Sequence, residues 1–416
     1  MAKQVKTKLA LNPAPFRHPS PVVGSLLQKA RAMEKKGVKV YKGNIGDAAV
    51  RYPPSRKVID AGISLLGDLS HFRYGDTKGL HTLREKIAEI EKVSADDVII
   101  GNGASELMQM LAVAFAGKKA NILLPSPCFF PYEVWSDFLN MHGVNLEPRM
   151  YACDIGTSWQ LDIYDLGSKI DANTRAIVLI NPNNPTGWVA DDKFLYILAR
   201  MVEDVNSACA KKGIPPITLI SDEVYRDVVF EGHTKSMRDV VDVRKTNLVV
   251  INSSSKADRL SGLRVGYAAV SGPNKAEIVE SLFNQAGNRL APNSLGQLFY
   301  LKSLELAHPG VEEMKSSLRR ASEIVCGELA RSNKIKFARP KAGFYLFGKV
   351  EGGKWRSSEE FCEELLEKKQ VLLSPGTDFI GAIKHTKLKG IFFRLVYLLP
   401  DDELREMARK IVEFVG

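Results

Sequence analysis

One lysine follows a strongly apolar run of the sequence and stands among hydroxyl side chains. Leu248–Ile251 is apolar, and the segment from Ser253 to Arg264 then reads Ser-Ser-Ser-Lys-Ala-Asp-Arg-Leu-Ser-Gly-Leu-Arg, with Lys256 as its only lysine. A lysine amine forms a Schiff base with a carbonyl compound, and serine and arginine side chains are typical donors to a phosphate. On this segment alone, a solvated lysine in a loop after a strand is the alternative interpretation.

The amine and the phosphate donors together predict one kind of ligand. An aldehyde that also carries a phosphate would occupy both, and pyridoxal phosphate is such a compound. Ser253 and Arg264 are then candidate phosphate donors beside Lys256. The role of Ser255 stays open between a phosphate contact and a turn former.

Two glycine-containing segments are further candidates for ligand contacts. Gly101–Glu106 lies between a predicted strand at Val98–Ile100 and a predicted helix at Leu107–Phe115. Small residues at a helix N-terminus expose free backbone N–H groups and form an anion site, although tight strand-to-helix packing explains such a turn equally well. A predicted strand over Val38–Ile45 ends in the segment Gly43–Asp47, where glycine allows a ligand to approach the backbone or simply serves a turn.

The elements that must position these residues follow from a repeated pattern of apolar runs. Three further runs are each followed by polar residues: Ile122–Leu124 by Pro125–Tyr132, Ala176–Ile180 by Asn181–Gly187, and Ile217–Ile220 by Ser221–Tyr225. Short apolar strands, each followed by a polar segment and a helix, predict an α/β domain with a mainly parallel sheet. Ligands bind at the carboxyl ends of such strands. We therefore expect the polar segments to converge with the lysine at one edge of the sheet.

The composition is that of an ordinary globular protein with a large core. The chain has 416 residues, of which 45% are hydrophobic and 25% charged, so two or three domains are possible. The net charge is +10, but positive and negative residues are interspersed and no long basic run carries interleaved aromatic residues. This disfavours nucleic-acid binding, whereas a general positive field would attract small dicarboxylates and a phosphorylated cofactor.

The cysteines and the N-terminal segment indicate a cytoplasmic protein. The five cysteines are odd in number, widely separated and without a Cys-x-x-Cys pair, so we predict neither a disulfide framework nor a metal site. Residues 1 to about 20 are basic and then rich in proline, which predicts an irregular arm. We find no apolar signal core and no run of about 18 apolar residues, so we expect no membrane association.

These motifs together identify a family resemblance over most of the chain. From about Gly43 to Arg394 the sequence resembles the class I/II aminotransferases, which are fold type I pyridoxal-phosphate enzymes. The most specific motifs are Asn181–Gly187, Asp222–Tyr225 and Ser253–Tyr267, which stand in the order and spacing of the family.

The resemblance implies roles for residues around the cofactor ring. Lys256 would form the Schiff base with the cofactor and move the proton between the substrate's α carbon and the cofactor. Asp222 would pair with the pyridine nitrogen and keep it protonated, so that the ring accepts electrons. Asn184 and Tyr225 would hydrogen-bond the ring hydroxyl, and Phe129 would stack on the ring. The competing interpretations are a turn residue for Asp222 and a core residue for Phe129.

The resemblance also implies contacts to the phosphate and to the substrate. The implied phosphate ligands are the backbone of Gly103 and Ala104, the hydroxyls of Ser105 and Ser253, Arg264, and Tyr74 from a neighbouring subunit. The last of these implies a homodimer with shared active sites. Arg394 would bind the substrate α-carboxylate through two parallel bonds, with Gly46 and Asn184 as further substrate contacts. A surface ion pair is the alternative for Arg394, but its apolar neighbours favour a buried strand, where an anionic partner is expected.

The implied architecture is a large cofactor domain and a smaller α+β domain. The large domain would cover residues 50–300, and the smaller one would combine an N-terminal part, residues 1–49, with residues 301–416. A hinge between the two would close the site over the substrate and exclude water.

We therefore predict an aminotransferase that moves the amino group of an L-amino acid to 2-oxoglutarate or pyruvate. Tyr74–Gly79 and Gly101–Leu107 look similar to the alanine aminotransferase branch, whereas Trp159–Asp162 resembles aromatic aminotransferases. No second arginine is marked by spacing as a reader of a side-chain carboxylate, so a small, aromatic or broad range of donors is favoured. The alternatives are a lyase on the same fold and a non-catalytic ligand-binding regulator. A regulator would usually carry a DNA-binding segment, and none is visible before Val22.

Overall fold

The computed structural model describes residues 21–141, 143–154, 156, 158–381 and 388–416. The predicted irregular arm at residues 1 to about 20 lies outside them. The helices are α1 (Pro21–Lys35), α2 (Arg56–Ser64), α3 (His81–Glu91), α4 (Ala104–Phe115), α5 (Pro131–Met141), α6 (Ile163–Ser168), α7 (Asp192–Lys211), α8 (Lys275–Ala286), α9 (Ser294–Glu305), α10 (Val311–Leu329), α11 (Ser358–Lys369), α12 (Thr377–Ile380) and α13 (Asp401–Val415). The strands are β1 (Tyr41–Lys42), β2 (Val98–Gly101), β3 (Asn121–Ser126), β4 (Glu147–Asp154), β5 (Gln160–Leu161), β6 (Thr174–Ile180), β7 (Thr218–Asp222), β8 (Asn247–Ser253), β9 (Gly266–Ser271), β10 (Ile335–Phe337), β11 (Tyr345–Val350), β12 (Val371–Leu372), β13 (Ser374–Pro375) and β14 (Ile391–Val396).

The larger unit is built on a mainly parallel sheet. Its strand order over the described residues is β2-β9-β8-β7-β6-β3-β4-β5, and β8, β7, β6, β3 and β4 run parallel to their neighbours within that stretch. Strand β9 is antiparallel to both β2 and β8. Every residue of β7 and β8 is buried, as expected for strands covered by helices on both faces. The predicted α/β fold with a mainly parallel sheet is confirmed.

Helices cover both faces of this sheet and give the larger unit three layers. Residues of α4, α5 and α8 form one apolar cluster with one face of the sheet. Residues of α6 and α7 form a second cluster with the other face. Helices α3 and α9 pack near the edge formed by β2 and β9. The carboxyl ends of the parallel strands are left accessible at one edge.

The expectation that the strand predicted at Ile217–Ile220 leads into an α-helix is wrong. The crossover from β7 to β8 contains only short 3-10 turns at Arg226–Val228 and Met237–Asp239. Buried ion pairs of Arg226 and Arg238 with Glu91 hold this crossover in place of an apolar helix face. After β8 the chain returns as antiparallel β9, and an antiparallel neighbour needs no helical crossover.

The smaller unit is formed by both ends of the chain. Strands β10, β11, β14 and β13 make an antiparallel sheet, while β1 pairs in parallel with β12. Leu26 and Ala30 of α1 belong to the same apolar cluster as buried residues of α10, α11 and α13. The predicted smaller α+β unit is confirmed as an element of the fold. The strand predicted over Val38–Ile45 is much shorter, because the chain leaves β12 after Gly43 and turns towards the larger unit.

Other global features concern cysteines, metals and membranes. All five cysteines are free and four of them are buried. Among the described residues, no group of three or more His, Cys, Asp or Glu side chains is arranged to hold a metal ion. Within the same part of the chain, no helix has both the length and the apolar character needed to cross a bilayer.

Candidate active site

A cavity of about 240 Å³ lies where the carboxyl ends of β6, β7 and β8 meet the start of α4. The predicted site residues that line it are Gly46, Ala104, Ser105, Phe129, Asn184, Asp222, Tyr225, Ser253, Lys256, Arg264 and Arg394. Gly103 lies next to this group, against Arg264. The polar segments after separate strands therefore meet in one place, together with residues contributed by the smaller unit.

Lys256 lies in a tight loop directly after β8. The loop is closed by Ser254, whose backbone N–H and hydroxyl both donate to the carbonyl of Val265. The Lys256 amine donates to the carbonyl of Gly46 at 3.0 Å and lies 5.5 Å from the ring centre of Tyr225. The hydrogen-bond partner of the amine is a neutral carbonyl and not a carboxylate. A carbonyl-bearing ligand in the cavity can therefore contact the amine without breaking an ion pair.

Asp222 is the last residue of β7 and its side chain is buried beside the cavity. The residue is 1% exposed. Its carboxylate accepts hydrogen bonds from the Tyr132 hydroxyl at 3.0 Å and from the backbone N–H of Val224 at 3.3 Å. Burial raises the pKa of Asp222 to about 6, while those two hydrogen bonds and the charge of Lys256 oppose the rise and Glu223 adds to it. A cation bound in the cavity against Asp222 would stabilise its charged form.

The first turn of α4 and the guanidinium of Arg264 form a cradle for an anion. Helix α4 begins at Ala104, and its N-cap Gly103 has φ +84 and ψ 164. A Cβ atom at Gly103 would lie 2.3 Å from Nη2 of Arg264, at a positive φ that side chains rarely adopt, so glycine favours this close approach. Arg264 donates to the carbonyls of Ser261 at 3.0 Å and Asn102 at 3.4 Å. Free N–H groups, nearby serine hydroxyls and a guanidinium at a helix N-terminus are the donor set of a phosphate site.

Arg394 lies on β14, and its buried guanidinium also lines the cavity. It donates to the carbonyl of Asn44 at 2.7 Å and to Oδ1 of Asn184 at 3.3 Å. Its guanidinium carbon lies 4.7 Å from the ring centre of Tyr345 and 4.4 Å from that of Phe379. Burial lowers the pKa of Arg394, and the structure gives its Nε no hydrogen-bond partner among the described residues. A buried guanidinium with spare donors favours an anionic ligand.

Tyr345 also lines the cavity, and its position explains why residue 46 is a glycine. Its hydroxyl lies 2.8 Å from the hydroxyl of Tyr225, and burial raises the pKa of Tyr225 well above its usual range. A Cβ atom at Gly46 would lie 2.0 Å from the Tyr345 hydroxyl. Glycine at this position therefore lets the Tyr345 ring lie between the Gly46 backbone and Arg394.

Sequence reasoning missed several residues of the site. Tyr132 lies in the polar segment after β3, and Asn44 lies in the segment Gly43–Asp47, so both segments were marked but not these side chains. Asn44 is 3% exposed, and both polar atoms of its side chain lack a hydrogen-bond partner in the described part of the chain. Tyr345 was not marked by any of the motifs. Ser255, whose role was open, also lines the cavity.

Tyr74 lies outside the cavity of its own chain. Its side chain is 87% exposed, and Leu69 and Phe72 nearby in sequence are 77% and 60% exposed. Phe129 does line the cavity, and its ring centre lies 5.1 Å from that of Phe130.

Comparison with known proteins gives consistent results over nearly the whole chain. The family model described as aminotransferase class I and II matches residues 42–411. An aspartate aminotransferase of Thermotoga maritima is 28% identical, with 93% of this chain and 94% of the relative covered. The glutamate-pyruvate aminotransferase AlaA of Haemophilus influenzae is 27% identical, with 94% and 95% covered. The solved structure of an alanine aminotransferase from Pyrococcus furiosus has a TM-score of 0.84 at 29% identity, with 95% and 96% covered.

Proposed function

Because this chain belongs to the class I and II aminotransferase family, we propose that it binds pyridoxal 5'-phosphate in the cavity around Lys256. The protein is an aminotransferase that acts on amino acids and 2-oxo acids. The observation that carries the cofactor proposal is the meeting of a lysine amine, a phosphate cradle, a buried carboxylate and a buried arginine in one cavity. When bound, the cofactor supplies an electron sink for the carbon that loses a proton.

The cradle at the start of α4 would hold the phosphate of the cofactor. The backbone of Gly103 and Ala104, the hydroxyls of Ser105 and Ser253, and the guanidinium of Arg264 would donate to its oxygens. The absent Cβ at Gly103 supports this role, because it keeps the helix N-terminus and the guanidinium close together.

The remaining residues of the cavity would orient the ring and move the proton. Asp222 would hold the proton on the ring nitrogen, which would in turn keep the buried carboxylate charged at neutral pH. Tyr225 and Asn184 would donate to the ring hydroxyl, and Phe129 would pack on the ring face. Lys256 would bond to the cofactor aldehyde and then carry the proton to and from the substrate's α carbon.

Arg394 would bind the α-carboxylate that all amino-acid and 2-oxo-acid substrates share. Gly46 and Asn184 would complete this subsite, with the Asn184 amide already bonded to the guanidinium. Within the described residues, Arg264 and Arg394 are the arginines that line the cavity. We therefore propose a small, aromatic or broad range of donors, with 2-oxoglutarate or pyruvate as acceptor.

We further propose that the enzyme works as a homodimer with shared sites. Tyr74, which is exposed in the single chain, would reach the phosphate of the neighbouring subunit. The division into residues 50–300 and a smaller unit from residues 1–49 and 301–416 would let the substrate draw the two units together. Arg394 of the smaller unit and Lys256 of the larger one line the same cavity, which supports such closure.

Product analysis with a panel of amino donors and oxo acceptors tests this proposal. We expect stoichiometric formation of a new amino acid and a new 2-oxo acid, and loss of this turnover in Lys256→Ala. Borohydride reduction followed by peptide mapping should fix the cofactor on Lys256. Attachment to another lysine would contradict the assignment, and elimination products without amino transfer would identify a lyase.

A further inference from the structure

A second cluster of polar side chains lies behind the active-site lysine. Asp258, two residues after Lys256, is 3% exposed and accepts hydrogen bonds from the Ser303 hydroxyl at 2.5 Å and from Nδ1 of His308 at 2.7 Å. The adjacent Arg259 donates to the carbonyl of Pro309 at 2.6 Å. These contacts fasten the lysine loop to the end of α9 and to the turn that follows it, and nothing in the proposed reaction uses them.

That turn joins the two units of the molecule. It connects α9, whose residues pack in the larger unit, to α10, whose buried residues belong to the apolar cluster of the smaller unit. The backbone there is unusual, since Ala307 and His308 have φ +53 and +52 and Gly310 has φ +82. For residues other than glycine, here Ala307 and His308, such conformations persist only when surrounding contacts hold them. The hydrogen bonds that Asp258 accepts and that Arg259 donates are such contacts.

The opposite side of the same loop touches the N-terminal segment of the smaller unit. Ser261 donates to the carboxylate of Asp47 at 2.9 Å, and the Lys256 amine reaches the carbonyl of Gly46. The lysine loop is therefore held between two parts of the chain, the segment around Gly46 and the turn around His308. Removing the second attachment would let the loop move relative to the first.

We propose that Asp258 is a positioning residue for Lys256. By holding the lysine loop on Ser303 of α9 and on His308 of the α9–α10 turn, it fixes where the amine lies relative to the cavity and to the smaller unit. This inference rests on the proposed function of Lys256. A reacting amine displaced by about 1 Å loses up to about a hundredfold in rate, so a remote anchor of this kind matters for catalysis.

The charge of His308 gives the anchor a dependence on pH. Burial lowers the pKa of His308, but its hydrogen bond to Asp258 and the Asp258 charge more than offset this, with Asp227 adding and Arg226 opposing, so the pKa is raised. Lys86, Arg226, Asp227 and Arg238 line the cavity that His308 borders. Because the folded-state pKa of His308 is raised, its contact with Asp258 contributes fully to stability below the ordinary histidine pKa. This contribution is lost as pH rises through the raised value.

The experiment compares Asp258→Asn and His308→Gln with the wild-type holoenzyme. We expect kcat to fall about tenfold to a hundredfold while KM for donor and acceptor changes less than about twofold, since the substrate contacts are untouched. The pH at which the visible absorbance of the lysine-bound cofactor changes should shift in both variants. In the wild type, the melting temperature should decline as pH rises above the ordinary histidine pKa. In His308→Gln this decline should be absent. The double variant should have the same kcat as Asp258→Asn, because both changes break the hydrogen bond between Asp258 and His308.

The matched control is Asp162→Ala, which removes an N-cap carboxylate that accepts from the N–H groups of Tyr164 and Asp165 at the start of α6. It should lower the melting temperature without changing kcat or the absorbance midpoint. If Asp258→Asn does not fold, Ser303→Ala and His308→Gln remove its partners singly and must give the kinetic effect. Variants that lose only melting temperature, with kcat and midpoint unchanged, would overturn the inference. Absence of lysine-bound cofactor in the wild type would instead overturn the proposed function.

Discussion

Two buried carboxylates of the larger unit differ in whether a cationic side chain is bonded to them, and this distinguishes a structural residue from a ligand-binding one. Burial alone would raise the pKa of Glu91, but Arg226, Arg238 and the Tyr267 hydroxyl lower it overall. Asp222 has no bonded cation among the described residues, and burial raises its pKa to about 6. The charge of Glu91 is therefore balanced by cationic side chains of the protein, whereas a cationic group bound in the cavity would balance the charge of Asp222.

We predict that Asp222→Asn stabilises the cofactor-free protein while it removes most of the activity. The folded-state pKa is about 6 and the ordinary value is 3.8, so the cost of burying the carboxylate is absent below about pH 4 and is complete above about pH 6. This difference in pKa corresponds to about 3 kcal/mol of folding free energy. The near-isosteric amide can keep the contacts with Tyr132 and Val224. Thermal unfolding from pH 4 to 8 should show the variant gaining stability only as pH rises.

The same variant tests the proposed role in catalysis, because a neutral amide cannot hold the proton on the ring nitrogen. We expect cofactor binding to persist and amino transfer to fall by at least about a hundredfold. Near-normal transfer by a correctly folded Asp222→Asn protein would eliminate the role.

Arg394→Lys should weaken binding of donor and acceptor alike. Lysine keeps the charge but loses the planar guanidinium that donates two parallel bonds to a carboxylate. A lost charge-assisted bond is worth roughly 1.5–3 kcal/mol, so KM for both substrates should rise about tenfold to a hundredfold. The cofactor spectrum should not change, because Arg394 is none of the proposed phosphate donors and Lys256 and Asp222 are unaltered. If only one substrate were affected, Arg394 would read a side chain rather than the shared carboxylate.

At the residue scale, sequence predicts best the side chains that end strands or start helices. Asp222, Ser253 and Lys256 stand at such points, and local pattern alone brings them to one edge of the sheet. Tyr345 and Tyr132 reach the site through packing between remote segments: the Tyr345 hydroxyl contacts Tyr225, 120 positions away, and Tyr132 contacts Asp222, 90 positions away. No local pattern encodes contacts of that kind.

At the scale of elements, the strand pattern predicts the parallel sheet but not the crossovers. Apolar runs identify β6, β7 and β8 because both faces of these strands are covered. The same pattern carries no information on whether a crossover buries an apolar helix or, as between β7 and β8, a set of ion pairs. The β1 strand is shorter than predicted because its pairing with β12 covers only Tyr41 and Lys42.

The start of α4 provides a prediction for an element rather than a single contact. Gly103→Ala would place a methyl group 2.3 Å from the Arg264 guanidinium and force a backbone conformation that side chains rarely adopt. We expect at least about a tenfold loss of affinity for pyridoxal phosphate in titrations of the cofactor-free protein, since helix and arginine must separate.

The matched control for this change is Gly213→Ala. Gly213 also has a positive φ of +66, but a Cβ atom there meets nothing within 4 Å. It should lose about 1 kcal/mol of stability through backbone strain, with cofactor affinity unchanged. Equal loss of affinity in both variants would mean that the effect of Gly103→Ala comes from general destabilisation.

At the scale of the whole molecule, the exposed apolar residues are the feature that one chain does not explain. Val50, Leu69, Phe72 and Tyr74 are 74%, 77%, 60% and 87% exposed, and all lie within one short stretch of the sequence. Such a concentration of exposed apolar side chains is typical of a surface that contacts another protein. It supports the proposed homodimer, in which Tyr74 would complete the partner's site.

Mixing two inactive variants tests whether the sites are shared. In a hybrid of Lys256→Ala with Tyr74→Ala, one site carries both changes and the other carries neither, because each site takes its lysine and its tyrosine from different chains. Random exchange of equal amounts makes half of the dimers hybrid, so about a quarter of wild-type activity should return. Tyr164→Ala, which alters a tyrosine that is 88% exposed on α6, should stay active alone. A fully active monomer by light scattering, or a mixture with no recovered activity despite proven exchange, would show that each chain carries a complete site.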